Sequence, residues 1–232
     1  MEVIVNGRKL ATPAGNPLKV PTQALADAIA QEYLACHPAL AAGSPRNGTG
    51  TPQQVRGDSR KMPLTALAYT AIDRIAGQRG DIIEVLLVYV DTDTLSYRAS
   101  GSQLLAKQQQ AEWDPVLDWL GKTMGTTWQV TSGVMPIDQP PELHRAVGKY
   151  LAGLSDMELA AACVLSSGCS SLVLMLAVVA GHIEAQEAFR LSRLEEEYQA
   201  QAWGRDMEAE ARAARLKQEI LDAGRFLDLL RA

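Results

Sequence analysis

Two aspartates one residue apart, Asp91 and Asp93, have the type and spacing that could support catalysis. They follow an apolar run, LLVYV, at 86–90. In such a pair, one carboxylate can attack a phosphorus atom while the other handles the proton of the leaving group. Asp91 and Asp93 therefore make phosphoryl transfer one candidate function of the chain.

The aspartate pair resembles the nucleophile motif of haloacid-dehalogenase-type phosphatases, but two parts of that motif are missing. A threonine is expected two residues after the second aspartate, where this chain has Leu95. The sequence further along offers no acidic pair to hold magnesium. An aspartate that caps a helix or ends a turn is the simpler interpretation. A haloacid-dehalogenase-like phosphatase using Asp91 and Asp93 is kept as an alternative.

A second group of carboxylates, Glu195, Glu196 and Glu197, lies within a helix that the periodicity predicts over 184–203. The simplest role of adjacent glutamates on a helix is a solvated face, and we expect this role for Glu195 and Glu197. Arg193 precedes Glu197 by one helical turn, so these two side chains are predicted to form an ion pair.

Glu196 differs from its neighbours in its predicted surroundings. A spacing of seven residues places it nearly in line between Phe189 and Trp203 on the predicted helix. The other side carries an apolar stripe of Ala188, Leu191, Leu194, Tyr198 and Ala202. A helix with apolar groups on both faces is either central to a bundle or presents one face to a partner. The Glu196 carboxylate could then accept hydrogen bonds from an arginine or an exposed backbone N–H of a bound protein.

The rest of the sequence offers little material for other kinds of catalysis. It contains no GxxxxGK[ST] loop to bind phosphate and no GxSxG motif to present a serine nucleophile. The three histidines, His37, His144 and His182, do not have the spacing of zinc ligands. We therefore expect no catalytic residue, no metal and no cofactor, and we predict that the chain is not an enzyme.

Composition and charge narrow the possible partners and location. Hydrophobic residues make up 47% of the 232-residue chain, which is enough to form a core. The net charge of -5 and the absence of a basic cluster disfavour nucleic-acid binding. Three cysteines fit a reducing compartment. Because the N-terminus lacks a signal-like apolar core, we expect a bacterial cytoplasmic protein, or a mitochondrial matrix protein if the source is a eukaryote.

The pattern of elements predicts an α+β fold that is mostly α. Asn6-Gly7 between two short β-forming runs predicts an N-terminal hairpin. The segment 36–61 is rich in Gly, Pro, Ser and Thr and is predicted to be a long loop. We expect a small antiparallel β-rich domain with one helix and this loop over 1–60, followed by a mainly helical bundle over 61–232.

Several element boundaries follow from local signals. A helix that begins at Pro63 is expected to end at Gly77 and Gly80, and residues 81–90 fit either a buried strand or a helix. An uncharged stretch at 159–180 is long enough to span a bilayer, but serines and a glycine lie at its centre, so two buried helices are expected instead. Beyond residue 90, helices are predicted at 104–110 and 114–124, and a strand is predicted at 126–131.

Six segments, in this order, are distributed between residues 6 and 204 of the chain: NGRKLATP, LKVPTQALADAIAQE, MPLTALAYTAIDR, DTDTLSYRA, EWDPVLDWL and SRLEEEYQAQAWG. As a set they resemble the ATP synthase assembly chaperones that bind the alpha subunit of the F-type head. The resemblance implies a small N-terminal β-rich domain and a C-terminal helical domain. It also implies a protein that binds the unassembled alpha subunit, covers its beta-facing surface and is displaced by the beta subunit.

The predicted partner-binding residues cluster near the C-terminus. They are Phe189, Glu195, Glu196, Glu197, Tyr198, Gln199 and Trp203, and all except Phe189 match the family motif. Other matching residues, which we expect mainly to support the fold, are Asp91, Asp93, Tyr97, Arg98, Trp113, Asp114 and Pro115. We expect a monomer, and a helical adaptor for some other partner is kept as a third alternative.

Overall fold

The structure, a computed structural model, describes residues 1–37, 61–133 and 135–232. The predicted loop over 36–61 lies outside these residues except at its two ends. The described part of the chain is mainly helical and contains two small two-stranded sheets. This architecture confirms the prediction of an α+β fold that is mostly α.

The elements are short strands and longer helices. The strands are β1 Ile4–Val5, β2 Arg8–Lys9, β3 Tyr97–Arg98 and β4 Thr131–Ser132. The α-helices are α1 Gln23–Cys36, α2 Pro63–Thr70, α3 Ala76–Thr92, α4 Gln103–Met124, α5 Pro141–Gly153, α6 Asp156–Cys169, α7 Leu172–Val179, α8 Ala185–Ser192, α9 Leu194–Trp203 and α10 Met207–Arg231. A π-helical turn, Ala71–Ile75, joins α2 to α3, and a 3-10 turn, Thr94–Ser96, precedes β3.

The chain divides into two compact units. Unit 1 consists of Met1–Arg79, Ser155–Ala161 and Arg225–Ala232, and unit 2 consists of Gly80–Leu154 and Ala162–Gly224. The predicted partner-binding residues all belong to unit 2. The division into domains at residue 60 stays a prediction.

Unit 1 contains the N-terminal hairpin. Asn6 and Gly7 have positive φ angles of 50° and 74°, as the predicted turn requires, and they connect the antiparallel β1 and β2. Leu18 extends this hairpin, because its carbonyl accepts from the Val3 amide and its amide donates to the Leu10 carbonyl, both at 3.0 Å.

Side chains rather than regular pairing fix the first two helices of unit 1. Thr22 caps α1, and its hydroxyl accepts a hydrogen bond from the Leu25 amide at 3.3 Å. The Glu32 carboxylate of α1 accepts hydrogen bonds from the Leu64 and Thr65 amides at 3.1 and 2.9 Å. A carboxylate in this position satisfies free N–H groups and complements the positive end of the α2 dipole.

The helix that begins at Pro63 is interrupted at Gly77 and Gly80, as predicted, because two helical segments meet at a kink between these two residues. The chain continues through the π-helical turn into α3, in which only Gln78 departs from helical geometry, with φ -131° and ψ 23°. Residues 81–90 are therefore helical. A glycine in a helix interior costs roughly 0.5–1 kcal/mol relative to alanine. Full burial of one leucine, such as Leu86 at 3% exposure, contributes about 1.5–3 kcal/mol and outweighs that cost.

The core of unit 2 contains α7, whose eight residues are all buried. It is separated from α6 by Ser170, which has a positive φ of 49°, and by Ser171, whose hydroxyl accepts from the Leu174 amide at 3.1 Å. The uncharged stretch at 159–180 thus forms two helices, as predicted. None of the helices in the described ranges has the combination of length and apolar character needed to cross a bilayer.

Helix α4 joins two segments, 104–110 and 114–124, that were predicted as separate helices. Pro115 lies inside α4, where burial of neighbouring residues such as Trp113 compensates for the missing N–H donor. The strand predicted over 126–131 is reduced to β4, which pairs in parallel with β3.

Candidate functional site

The segment that carries the predicted partner-binding residues forms two helices instead of one. Helix α8 ends at Ser192, α9 begins at Leu194, and Arg193 between them has φ -104° and ψ 10°. The Ser192 hydroxyl donates to the Phe189 carbonyl at 2.8 Å, a local bond that competes with the regular helical pattern. The single helix predicted over 184–203 is therefore wrong.

The break also removes the predicted alignment of Phe189, Glu196 and Trp203. Phe189 is half-buried on α8, and its ring centroid lies 5.8 Å from the Lys217 ammonium. Trp203, at the end of α9, is 82% exposed. Glu196 is therefore not placed between two aromatic side chains on one helix.

The three adjacent glutamates all lie in the first turn of α9, where the helix dipole favours negative charge. The Glu196 carboxylate pairs with the Arg193 guanidinium at 3.0 Å, and Glu197 pairs with Arg205 at 3.0 Å. The predicted ion pair between Arg193 and Glu197 is wrong. Arg193 lies at the break between α8 and α9, and its partner is Glu196, three residues further along the chain. Both glutamates remain accessible to solvent.

A cleft of about 370 Å³ opens beside this first turn. Its volume lies at the lower end of the range of roughly 300–1,000 Å³ that is typical of ligand sites. Glu195, Glu196 and Gln199 line one side, and the Gln199 amide donates to the Glu195 carboxylate at 3.3 Å. Distant parts of unit 2 supply the remaining lining residues, which are Thr94, Trp113, Gly168, Cys169, Ser170, Ser192, Arg193 and Leu216.

The least exposed residues of the cleft are Trp113 and Cys169. The Trp113 indole N–H donates to the Leu191 carbonyl at 3.0 Å, which ties α4 to α8. Burial raises the pKa of the Cys169 thiol to about 12, so the thiol stays protonated at neutral pH and is a poor nucleophile. The polar groups that remain in the cleft are carboxylates, an amide, hydroxyls and the Arg193 guanidinium, which is paired with Glu196. The carboxylates suit the recognition of hydrogen-bond donors and cations.

The structure brings Glu195, Glu196 and Gln199 together at the cleft. Glu197 and Trp203 are exposed on the same helix but do not line the cleft. The two remaining residues of the predicted partner-binding set, Phe189 and Tyr198, are half-buried. The Tyr198 hydroxyl lies 2.9 Å from that of Ser102, so it is engaged within the fold. A partner-binding role for the whole set stays a prediction.

The pair Asp91 and Asp93 lies at the end of helix α3 instead of after a strand. Asp93 is completely buried, and its carboxylate accepts hydrogen bonds from the Ser171 hydroxyl at 3.0 Å and from the Leu95 and Val173 amides at 2.9 Å. Burial raises the pKa of Asp93 to about 6, although these hydrogen bonds oppose the shift. Asp93 therefore caps two segments, in keeping with the simpler interpretation of the motif.

Asp91 is also held by the protein itself. Its carboxylate accepts a hydrogen bond from the Gln139 amide at 2.8 Å and lies 3.0 Å from His144 Nε2. Within residues 1–37, 61–133 and 135–232, no three His, Cys, Asp or Glu side chains come together in a way that could hold a metal ion. The burial of Asp93 is contrary to the geometry that a phosphatase would need, since its carboxylate has no exposed surface from which to reach a substrate.

The fold is mainly helical, and its candidate site combines a cleft with an exposed acidic first turn of a helix. The ATP12 chaperone protein family matches residues 1–121, which is more than half of the chain. The chain belongs to the ATP12 chaperone family, and its role is that of a chaperone in the assembly of the F-type ATP synthase.

Solved and curated proteins extend this similarity to the C-terminal helices. The crystal structure of Atp12 from Paracoccus denitrificans has a TM-score of 0.85 and 37% identity, covering 99% of this chain and 91% of that one. A protein from Agrobacterium tumefaciens has a TM-score of 0.83 and 32% identity, covering 99% of this chain and 80% of that one. The mitochondrial protein atp12 of Schizosaccharomyces pombe is 26% identical over 88% of this chain and 69% of its own length.

Three features of this region were missed from the sequence. The pair of Arg193 with Glu196 has the i, i+3 spacing of a helical pair and could have been weighed beside the i, i+4 alternative. Met207, 85% exposed just beyond α9, carried no local signal. The cleft itself could not be found, because its lining residues are far apart in the sequence.

Proposed function

We propose that the protein binds the unassembled alpha subunit of the F-type ATP synthase, covers its beta-facing surface and is displaced when the beta subunit arrives. It does so without catalysis. The observation that carries this proposal is the first turn of α9, where three solvent-accessible glutamates stand beside an open polar cleft on a helix that ends in a highly exposed tryptophan.

The chemistry of α9 suits an incomplete protein surface. An orphan subunit exposes apolar groups together with polar groups that its proper neighbour would pair, and such a surface associates non-specifically. The carboxylates of Glu195 and Glu196 can accept strong hydrogen bonds from arginines or from unpaired backbone N–H groups. The Trp203 ring can cover part of the apolar surface that the orphan subunit exposes.

Displacement by the beta subunit requires that the chaperone bind over a limited area. Obligate subunit interfaces bury roughly 2,000–5,000 Å² or more, whereas transient complexes bury less. One helix, one cleft and one tryptophan form a small contact, which the larger and more apolar beta interface can replace. The protein acts as a monomer in the bacterial cytoplasm, or in the mitochondrial matrix of a eukaryotic source.

Capture of the purified alpha subunit tests this function. The chain and the isolated alpha subunit are mixed and separated by size-exclusion chromatography, and purified beta subunit is then added. We expect a complex of chaperone and alpha that dissociates as alpha and beta associate. A failure to bind alpha at moderate salt, or a complex that beta cannot dissociate, would overturn the proposal.

A hydrolysis assay separates the phosphatase alternative from the chaperone. A phosphatase that uses Asp91 would hydrolyse an aryl phosphate in the presence of magnesium and would lose this activity in Asp91→Asn. The buried Asp93 carboxylate leads us to expect no turnover by the wild-type chain. Magnesium-dependent hydrolysis that disappears in Asp91→Asn would contradict this expectation.

A further inference from the structure

The turn between α9 and α10 exposes two large apolar side chains. Trp203 is 82% exposed and Met207 is 85% exposed, and only the three residues 204–206 separate them. We call Trp203 and Met207 the apolar corner. Single exposed apolar residues are common on protein surfaces, but a tryptophan and a methionine together are the side chains that are enriched in protein interfaces.

The backbone around the apolar corner is fixed by several contacts. The Arg205 guanidinium pairs with Glu197 of α9 at 3.0 Å and with Glu210 of α10 at 2.9 Å, so that one side chain bridges both helices. Gly204 has a positive φ of 96°, which a side chain would disfavour. The Asp206 carboxylate accepts a hydrogen bond from the Glu208 amide at 3.1 Å. The exposure of the two apolar side chains is therefore a property of an ordered turn.

The charges around the apolar corner indicate what kind of partner it fits. Between residues 195 and 212 the chain has six carboxylates and two arginines. Such an acidic border repels anionic lipid headgroups and nucleic acid, and it attracts a surface with lysines or arginines. The complementary partner is a protein recess that is apolar inside and basic at its edge.

We propose that the apolar corner inserts Trp203 and Met207 into an apolar recess with a basic edge on the alpha subunit. This inference rests on the proposed function, and it adds Met207 to the proposed contact and specifies the kind of surface that Trp203 meets. A buried tryptophan covers about 150–250 Å² and is among the residues that most often dominate binding energy. Methionine is flexible and polarisable, so Met207 can adapt to the shape of the recess.

Photo-crosslinking tests where the apolar corner binds. p-Benzoylphenylalanine replaces Trp203 or Met207 in the full chain, and in a matched control it replaces Leu104, which is 67% exposed on α4. After irradiation with alpha subunit, we expect crosslinks from positions 203 and 207 but not from 104. Mass spectrometry should place them in apolar alpha peptides that are adjacent to lysine or arginine. Equal yield from position 104, or crosslinks only to a second copy of this chain, would overturn the inference.

Binding affinities provide the second readout. Trp203→Ala should raise the Kd for alpha subunit at least about tenfold, and Met207→Ala should raise it by a smaller factor. Leu104→Ala should stay within about twofold of the wild type. If the wild-type chain does not bind alpha, the proposed function fails. If the wild type binds and Trp203→Ala binds equally well, only the apolar corner is wrong.

Discussion

The buried Asp93 and the exposed Glu196 show how differently one compact unit uses a carboxylate. Asp93 has no exposed surface and accepts hydrogen bonds from one hydroxyl and two amides of its own fold. The Glu196 side chain is 48% exposed and pairs with Arg193. Both residues stood out in the sequence. Solvent access and the source of the bonding partners, rather than residue type or spacing, distinguish the structural carboxylate from the available one.

Replacing the buried carboxylate should have the largest effect. Asp93→Ala leaves the Ser171 hydroxyl and the Val173 amide without their acceptor in the core, so we expect a loss of about 3 kcal/mol or more in the free energy of unfolding. Urea unfolding followed by circular dichroism measures this loss. Glu196→Ala is the comparison, with an expected loss of about 0.5 kcal/mol or less. Equal losses of unfolding free energy in the two variants would contradict the distinction between a structural Asp93 and an available Glu196.

The pH dependence of Asp93→Asn gives a more specific test. The folded-state pKa of Asp93 is about 6, above its ordinary value of 3.8. Between these values the folded state binds more protons than the unfolded state, so this group adds stability as the pH falls. Asparagine does not titrate. The destabilisation caused by Asp93→Asn should therefore be larger near pH 4.5 than near pH 7.5.

Urea midpoints of the wild type and of Asp93→Asn at both pH values measure this difference. Other titrating groups are present in both proteins and cancel in the comparison. A larger loss near pH 7.5 would mean that the folded-state pKa lies below the ordinary value, which would contradict the effect of burial.

Charge reversal at the exposed carboxylate should change binding and leave folding intact. Glu196→Lys replaces a hydrogen-bond acceptor by a cation, and we expect the Kd for alpha subunit to rise at least about tenfold. Glu142→Lys is a matched control, because Glu142 also lies in a first helical turn and pairs with an arginine, Arg145, at 2.9 Å. The control should bind within about twofold of the wild type.

Circular dichroism of both lysine variants excludes a trivial explanation. Their helical signal should equal that of the wild type. Similar losses of binding in Glu196→Lys and Glu142→Lys would indicate a general charge effect, and loss of helical signal in Glu196→Lys alone would make that residue structural.

The smallest effect is expected for Phe189, which the structure places half-buried on α8. Lys217→Gln removes the ammonium 5.8 Å from the Phe189 ring and should lower stability by about 0.5–1 kcal/mol or less. It should not change the Kd for alpha subunit. A clear loss of binding without a loss of stability would indicate that Phe189 belongs to the surface that contacts the alpha subunit.

Local signals were read correctly from the sequence. The turn at Asn6-Gly7 needs two positive φ angles, which these residues adopt readily, and the structure has both. A capping box of Ser155 and Glu158 is a signal of the same local kind: the Ser155 hydroxyl accepts from the Glu158 amide at 3.2 Å, and the Glu158 carboxylate accepts from the Ser155 amide at 2.7 Å. Such features depend only on residues a few positions apart.

Features that depend on packing were not read correctly. The break at Arg193 contains neither glycine nor proline and arises where the Ser192 hydroxyl bonds to a backbone carbonyl. Whether Asp93 was a nucleophile or a cap depended on Ser171, 78 residues away in the chain.

Amide hydrogen exchange of the complex with alpha subunit tests the proposed docking of α9 most directly. On binding alpha, the amides of residues 194–203 should exchange more slowly, whereas those of α5, none of which lines the cleft, should be unchanged. Adding beta subunit should restore the exchange rates of the free chain. A complex in which residues 194–203 exchange as in the free chain would contradict docking through α9.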